Sequence, residues 1–259
     1  MTALDALLLG LLQGITELLP VSSSGHLVLA ETFLNVGIPA HLQSFDILLH
    51  AGSLLALLLA YPMLWWNMLC SLSTKESRHR HLFFMILLAT VPAAMTGLFF
   101  ENFIALHLRS LTFVGVGFAI TGVLLVLAER VPQHRDASRI PWLHALFIGL
   151  AQACALPPGV SRSGLTIAAA RSLGWRRESA VEFSFLLAVP VIAGATLITA
   201  TDLLHGITLP SPSVVWVGVL ASFGSSVLAI LFLRAMVRRF SLSWFALYLI
   251  PLAVLLLAS

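Results

Sequence analysis

Long apolar runs set the rhythm of this chain, and short polar turns interrupt it. Runs near residues 44–64, 82–100, 111–128, 180–201, 213–233 and 242–258 are each roughly 20 residues long, the length a helix needs to cross a bilayer. They lack the alternation of barrel strands, and backbone groups in lipid must be satisfied within the segment, so they predict transmembrane helices. Two other regions, one before the first run and one between the third and fourth, join apolar pieces of about 10–14 residues through turns rich in Ser, Gly and Pro. Such pieces are too short to cross singly. They predict re-entrant helical hairpins, tolerated only where protein or a water-filled cavity surrounds the tip.

The two short regions resemble each other. Shifting the sequence by 139 positions pairs "ALLLGLLQ" (6–13) with "ALFIGLAQ" (145–152), and "VSSSG" (21–25) with "VSRSG" (160–164). Three spanning runs follow each copy, so the chain reads as a single membrane domain, 1–259, made of repeat halves 1–130 and 140–259. Three crossings is an odd number. The second half therefore enters with inverted orientation, an arrangement that places sites near the midplane between repeats. The expected fold is an all-α integral membrane protein with an inverted repeat. Each half is a re-entrant helical hairpin plus three transmembrane helices, giving six full crossings.

Composition agrees: 59% of residues are hydrophobic and 10% charged, against about a quarter charged in soluble proteins. A net charge of +3 suggests nucleic acid only until the cations are located. Lys75, Arg78 and Arg80 share one connection, Arg130, Arg135 and Arg139 a second, Arg171, Arg176 and Arg177 a third, and Arg234, Arg238 and Arg239 a fourth. Clustered beside membrane helices, they report topology: cationic loops favour the cytoplasm. With all four connections inside, both termini and the first hairpin open to the outside. Arg109 then falls in an outer loop, and Arg162, at the second hairpin's tip, is the one cation placed deep in the membrane. Asp5 and the lack of a basic leader argue against a cleaved signal peptide. Cys70 and Cys154 have no metal-ligand spacing and read as buried apolar residues. Trp65, Trp66, Trp142, Trp175, Trp216 and Trp244 lie mostly near span ends, as interfacial anchors do.

An arginine at membrane depth is costly and by default marks function. Arg162 sits in "PPGVSRSGLT", where Pro158 and Gly159 make a turn and Ser161, Ser163 and Thr166 add hydroxyls. A permanently charged donor fork flanked by hydroxyls suits a phosphate or diphosphate, and helices starting at the turn can add backbone N–H groups. The plainer alternative is that Arg162 pairs with Glu17 only to hold the hairpins together. The first hairpin, "QGITELLPVSSSGH", differs at the polar positions: Glu17 aligns with Leu156, Ser23 with Arg162 and His26 with Leu165. Gln13 and Glu17 share a helix face, able to ligate a hard cation such as Mg²⁺ or to orient a histidine. Ser23 and His26 are a candidate nucleophile and base. For Ser22, Ser23 and Ser24 the alternative is capping of the following helix. Asp46 and His50, four apart, are candidates to face the cavity as supporting groups.

These motifs resemble the undecaprenyl-diphosphate phosphatase family, bacterial membrane enzymes associated with bacitracin resistance. "SFDILLHAGSLLALL" and "ESAVEFSFLLAVPVIAGAT" are similar to further family segments, so the resemblance runs through nearly the whole chain. It implies removal of the terminal phosphate of undecaprenyl diphosphate at the outer face of the cell (inner) membrane, recycling the lipid carrier for cell-wall synthesis. It implies a divalent cation, Mg²⁺ or Ca²⁺, with Glu17 and Gln13 as its candidate ligands. Arg162, Ser161, Ser163, Thr166 and Gly159 would hold the phosphates, while Glu17, Ser23 and His26 run the chemistry with Arg162. Either Ser23 or His26 is the nucleophile by resemblance, and Ser23 with His26 as its base is the preferred reading. Gln13 is the neutral variant of a position often occupied by Glu, which points to an orienting role. The partners expected are a long-chain prenyl diphosphate and the membrane, with no nucleic acid. The competing class is a lipid-phosphate flippase or secondary transporter using the same midplane site.

Overall fold

The computed structural model describes residues 1–33, 40–73, 77–136, 139–204 and 210–258. Lys75 lies outside them. The described residues form eleven α-helices: α1 (Ala3–Leu18), α2 (Ser23–Phe33), α3 (Ala40–Ala60), α4 (Pro62–Cys70), α5 (Arg78–His107), α6 (Leu111–Glu129), α7 (Trp142–Ala153), α8 (Arg162–Ser172), α9 (Arg177–Leu204), α10 (Pro212–Met236) and α11 (Ala246–Ala258). An all-helical membrane protein is what the apolar runs predicted. Leu98, Phe99, Leu197, Leu228, Leu247 and Leu255 are among many large apolar side chains exposed on the surface, an apolar exterior that lipid, not water, would cover.

Among the described residues four helices are long and apolar enough to cross a membrane: Arg78–Phe100 within α5, α6, Arg177–Ile198 within α9, and α10. The expected run 44–64 is not one straight helix. It bends by 77° between α3 and α4, because Pro62 restricts the backbone before it and opens a new helix; counted as one span, the pair makes a fifth. The run at 242–258 is helical throughout, a 3₁₀ turn, Leu242–Phe245, capped by Ser241 and followed by the 13 residues of α11, but it is shorter than the four long helices.

Local chemistry sets the ends of the short helices. Thr2 and Asp5 form a reciprocal capping box at the start of α1. Ser22, at φ 71°, receives the Gly25 N–H on its Oγ at 3.4 Å, and Ser161 receives that of Gly164 at 3.0 Å, so one serine of each turn is a cap. Both ends of the α7–α8 pair lie at the same end of the molecule: Trp175 Nε1, just past α8, donates to His144 Nδ1, near the start of α7, at 3.1 Å.

Close backbone approach locks the pairs into the bundle. A methyl group on Gly14 would overlap Ser222 and Ser225 of α10, and Ser226 Oγ donates to the Gly14 carbonyl at 3.3 Å. Small residues with hydroxyls are how helices pack in lipid, where no hydrophobic drive separates tails from leucines. At the second turn Gly159, φ 92°, presses against Val114 of α6. The Ser161 N–H donates to Thr121 Oγ1 of α6 at 3.0 Å, and Ser163 Oγ donates to the Leu19 carbonyl at 2.8 Å. That last bond ties one turn directly to the other.

Three sequence expectations change. Cys70 and Cys154 are free and exposed, since a small apolar side chain in lipid need not enter the protein core. Trp175 is 2% exposed and packs edge-on to Phe183; it is core, not an interfacial anchor. Arg171, counted with the third basic connection, lies instead in the last turn of α8: it is 1% exposed and, with Arg177, ion-pairs with Glu129 at the end of α6.

Candidate active site

The two turns meet around a cavity of about 180 Å³. Glu17, Ser22, Ser23 and Ser24 line it from the first helix pair, Gln152, Ser161, Arg162 and Ser163 from the second, and His50 from α3; Ala93, Val191 and Ile192 add apolar wall.

Glu17, near the end of α1, is the centre of the polar network. Arg162 Nη2 donates to its Oε1 at 2.6 Å, joining residues 145 apart in sequence. Three groups converge on Oε2: Ser23 Oγ donates at 2.5 Å, Gln13 Nε2 donates at 3.0 Å, and His50 Nε2 lies at 3.2 Å. Gln13 reaches because residues four apart on a helix share a face. Its amide nitrogen is spent on that bond. The carboxylate is buried, at 7% exposure, and its neutralisation by a guanidinium explains how the charge is tolerated there.

Ser23 and His26 are not joined. His26 Nδ1 lies 2.7 Å from the Ser22 carbonyl, which requires that nitrogen to carry the proton, and Nε2 faces Tyr248 Oη of α11 at 2.8 Å. The ring also packs on Phe118, at 5.0 Å between centroids. The side chain that accepts from Ser23 is Glu17. Thr166 does not line the cavity either: its hydroxyl donates to carbonyls of its own helix and pairs with Ser184 Oγ at 2.7 Å. Gly159 shapes the turn from behind. Ser161 and Ser163 hydroxyls lie 3.1 Å apart and both line the cavity.

His50 faces the site through Glu17, while its Nδ1 lies 2.8 Å from the Asp46 carbonyl. The Asp46 carboxylate turns the other way, toward Arg109 at 3.1 Å, and Glu31 approaches the same guanidinium at 3.4 Å. This clasp ties α2 to α3 beside the cavity. Glu31, Arg109, Gln152 and Tyr248 are the polar residues that reading the sequence left unassigned; Glu31 and Arg109 carried a signal, as charges flanking apolar runs.

Among the described residues no three His, Cys, Asp or Glu side chains cluster as a metal cage. One carboxylate, already engaged by an arginine, does not hold a divalent ion alone. Gln13 and Glu17 together offer one amide and one carboxylate, and that carboxylate is shared among Arg162, Ser23, His50 and Gln13 itself.

The chain resembles known proteins over nearly its whole length. A family model described as bacitracin resistance protein BacA matches residues 6–255. An undecaprenyl-diphosphatase of Rubrobacter xylanophilus is 41% identical over 264 residues, covering 98% of this chain and 97% of that protein. Undecaprenyl-diphosphatase 3 of Bacillus anthracis is 38% identical over 262 residues, 98% and 96% of the two chains. The undecaprenyl-diphosphatase of Alcanivorax borkumensis is 38% identical over 259 residues, 98% and 97%.

Proposed function

The chain belongs to the bacitracin resistance protein BacA family, and we propose that it hydrolyses undecaprenyl diphosphate to undecaprenyl phosphate and inorganic phosphate. The observation that carries the reading is the convergence of Ser23 and Arg162, from two separate helix pairs, on the single carboxylate of Glu17 beside a cavity. Arg162 keeps one guanidinium nitrogen, Nη1, without a partner, and this nitrogen would bind the terminal phosphate along with the Ser161 and Ser163 hydroxyls. Ser23 attacks phosphorus while Glu17 Oε2 takes its proton, because the hydrogen bond between them already marks that path. The proton leaves on the departing lipid phosphate. His26 holds the Ser22 carbonyl and Tyr248, fixing the turn from which Ser23 projects. A divalent cation would enter with the diphosphate and shield its charge, and no step above depends on it.

The molecule is, in this reading, a multi-pass protein of the bacterial cell (inner) membrane with six crossings, inverted repeat halves, re-entrant pairs α1–α2 and α7–α8, and termini and active site facing outside. The four basic connections support that orientation, and the joined ends of α7–α8 support re-entrance. Purified protein in lipid nanodiscs should release phosphate from a long-chain prenyl diphosphate, and Arg162→Ala should abolish most of that release. Near-normal turnover in the variant would overturn the assignment of Arg162; lipid crossing without hydrolysis would replace the phosphatase by a transporter.

A further inference from the structure

Among the described residues, two that line the cavity carry a buried polar side-chain atom with no partner: Arg162, through Nη1, and Gln152, through Oε1. One is a donor and the other an acceptor. Gln152 lies on α7 and is 2% exposed. The sense of its amide follows from its neighbour: Nε2 faces the Ala89 carbonyl oxygen at 3.4 Å, and turning the amide over would set two acceptors against each other. Oε1 is left without a donor.

The equivalent residue of the first copy, Gln13, also leaves its Oε1 without a partner, but it does not line the cavity. Gln13 spends its amide nitrogen on Glu17, four residues on. Four residues after Gln152 stands Leu156, which also lines the cavity. Gln152 thus has no carboxylate to orient. A diphosphate does not satisfy Oε1, because its oxygens in the ionised state only accept. It satisfies Arg162 instead. The hydrogen-bond donor that hydrolysis itself brings into the cavity is water.

We propose that Gln152 binds and orients the water that completes hydrolysis, its amide oxygen accepting one water hydrogen so that a lone pair is free to face phosphorus. This rests on the phosphatase reading above. In that step the water oxygen forms a bond to phosphorus and the bond from phosphorus to Ser23 Oγ breaks, its electron pair going to Oγ. One water proton passes through Glu17 Oε2 to Oγ, which restores Ser23 and releases inorganic phosphate.

The test uses the purified full chain in nanodiscs, supplied with a long-chain prenyl diphosphate in a methanol–water mixture, and reads the ratio of inorganic phosphate to methyl phosphate together with kcat and KM. Gln152→Leu removes the acceptor at similar size, and Gln152→Glu returns an oxygen to the position. Gln152→Leu is expected to lower kcat by roughly 100-fold, the scale of a lost positioning contact, with KM within about twofold. Its products should shift several-fold toward methyl phosphate, and Gln152→Glu should move the ratio back toward that of the wild type. A wild-type ratio in Gln152→Leu would overturn the proposal. If that variant does not fold, Gln152→Met is read in the same way, since a product ratio does not depend on how much enzyme is active. A wild-type protein that releases no phosphate would instead defeat the phosphatase reading, so the two failures are distinguishable.

Discussion

Glu17 illustrates how one residue ties a fold to a reaction. Its two oxygens are shared among four side chains from three parts of the chain, so replacing any of the four moves it. Arg162→Lys keeps the charge and loses the planar fork. Loss of one charged hydrogen bond, about 1.5–3 kcal/mol, should lower kcat/KM roughly 10–100-fold, at about 1.4 kcal/mol per tenfold, when phosphate release is followed against substrate concentration. The proton path separates Ser23 from His26. Ser23→Ala should lose roughly 1000-fold or more in kcat and take up no label from substrate carrying radioactive terminal phosphate. His26→Gln can still donate to the Ser22 carbonyl and accept from Tyr248, so it should stay within about tenfold of wild type; a collapse equal to that of Ser23→Ala would return His26 to the role of base. Glu17, Ser23 and Arg162 were legible in the sequence because charge and clustered hydroxyls inside apolar runs are expensive and demand partners. Tyr248 was not, since it lies 222 residues from His26 inside an apolar run, where a tyrosine resembles any other interfacial aromatic.

At the scale of elements, the site depends on how closely helices without bulky side chains can approach. α1 meets α10 backbone to backbone at Gly14, one residue past Gln13 and three before Glu17. Gly14→Ala should cost about 1–3 kcal/mol by overpacking, seen as a lower thermal midpoint in detergent. It should also lower kcat, because any shift of α1 lengthens the bonds at Glu17; unchanged stability and turnover would mean that α10 yields freely. Periodicity and length predicted the short helix pairs well, because turn residues and truncated apolar pieces are local signals. The bend at Tyr61–Pro62 was equally local, and the run 44–64 concealed it only because Pro62 is flanked by apolar residues on both sides. The start of the last run is set by Ser241, whose hydroxyl caps the 3₁₀ turn while donating to Glu129 at 2.9 Å. That contact bridges 112 residues, and no local pattern announces it.

The same Glu129 organises one end of the whole molecule. It receives Arg171, Arg177 and Ser241, and Arg171 continues to the Val131 carbonyl at 2.8 Å and to that of Trp175. Glu129→Ala would strand a guanidinium that is 1% exposed, at a cost of about 3–5 kcal/mol, measurable as a fall in thermal midpoint that an exposed pair such as Arg176 with Asp136 would not match. Because this knot joins the end of α6 to the start of α9, the intervening α7–α8 pair must leave and return on one side of the bundle. α7 and α8 are each too short to span singly, and a pair that together crossed once would separate those ends by the full thickness of the bilayer, about 30 Å, which no ion pair spans. The consequence is testable in whole cells. With Cys70 and Cys154, both exposed, first replaced by alanine, single cysteines at Arg130 and Arg176 should both resist a membrane-impermeant maleimide until the cells are opened. His107→Cys, across α6 from Arg130, should react from outside at once. Opposite labelling of the Arg130 and Arg176 positions would show that α7–α8 crosses, and the six-crossing, inverted-repeat topology would fall with it.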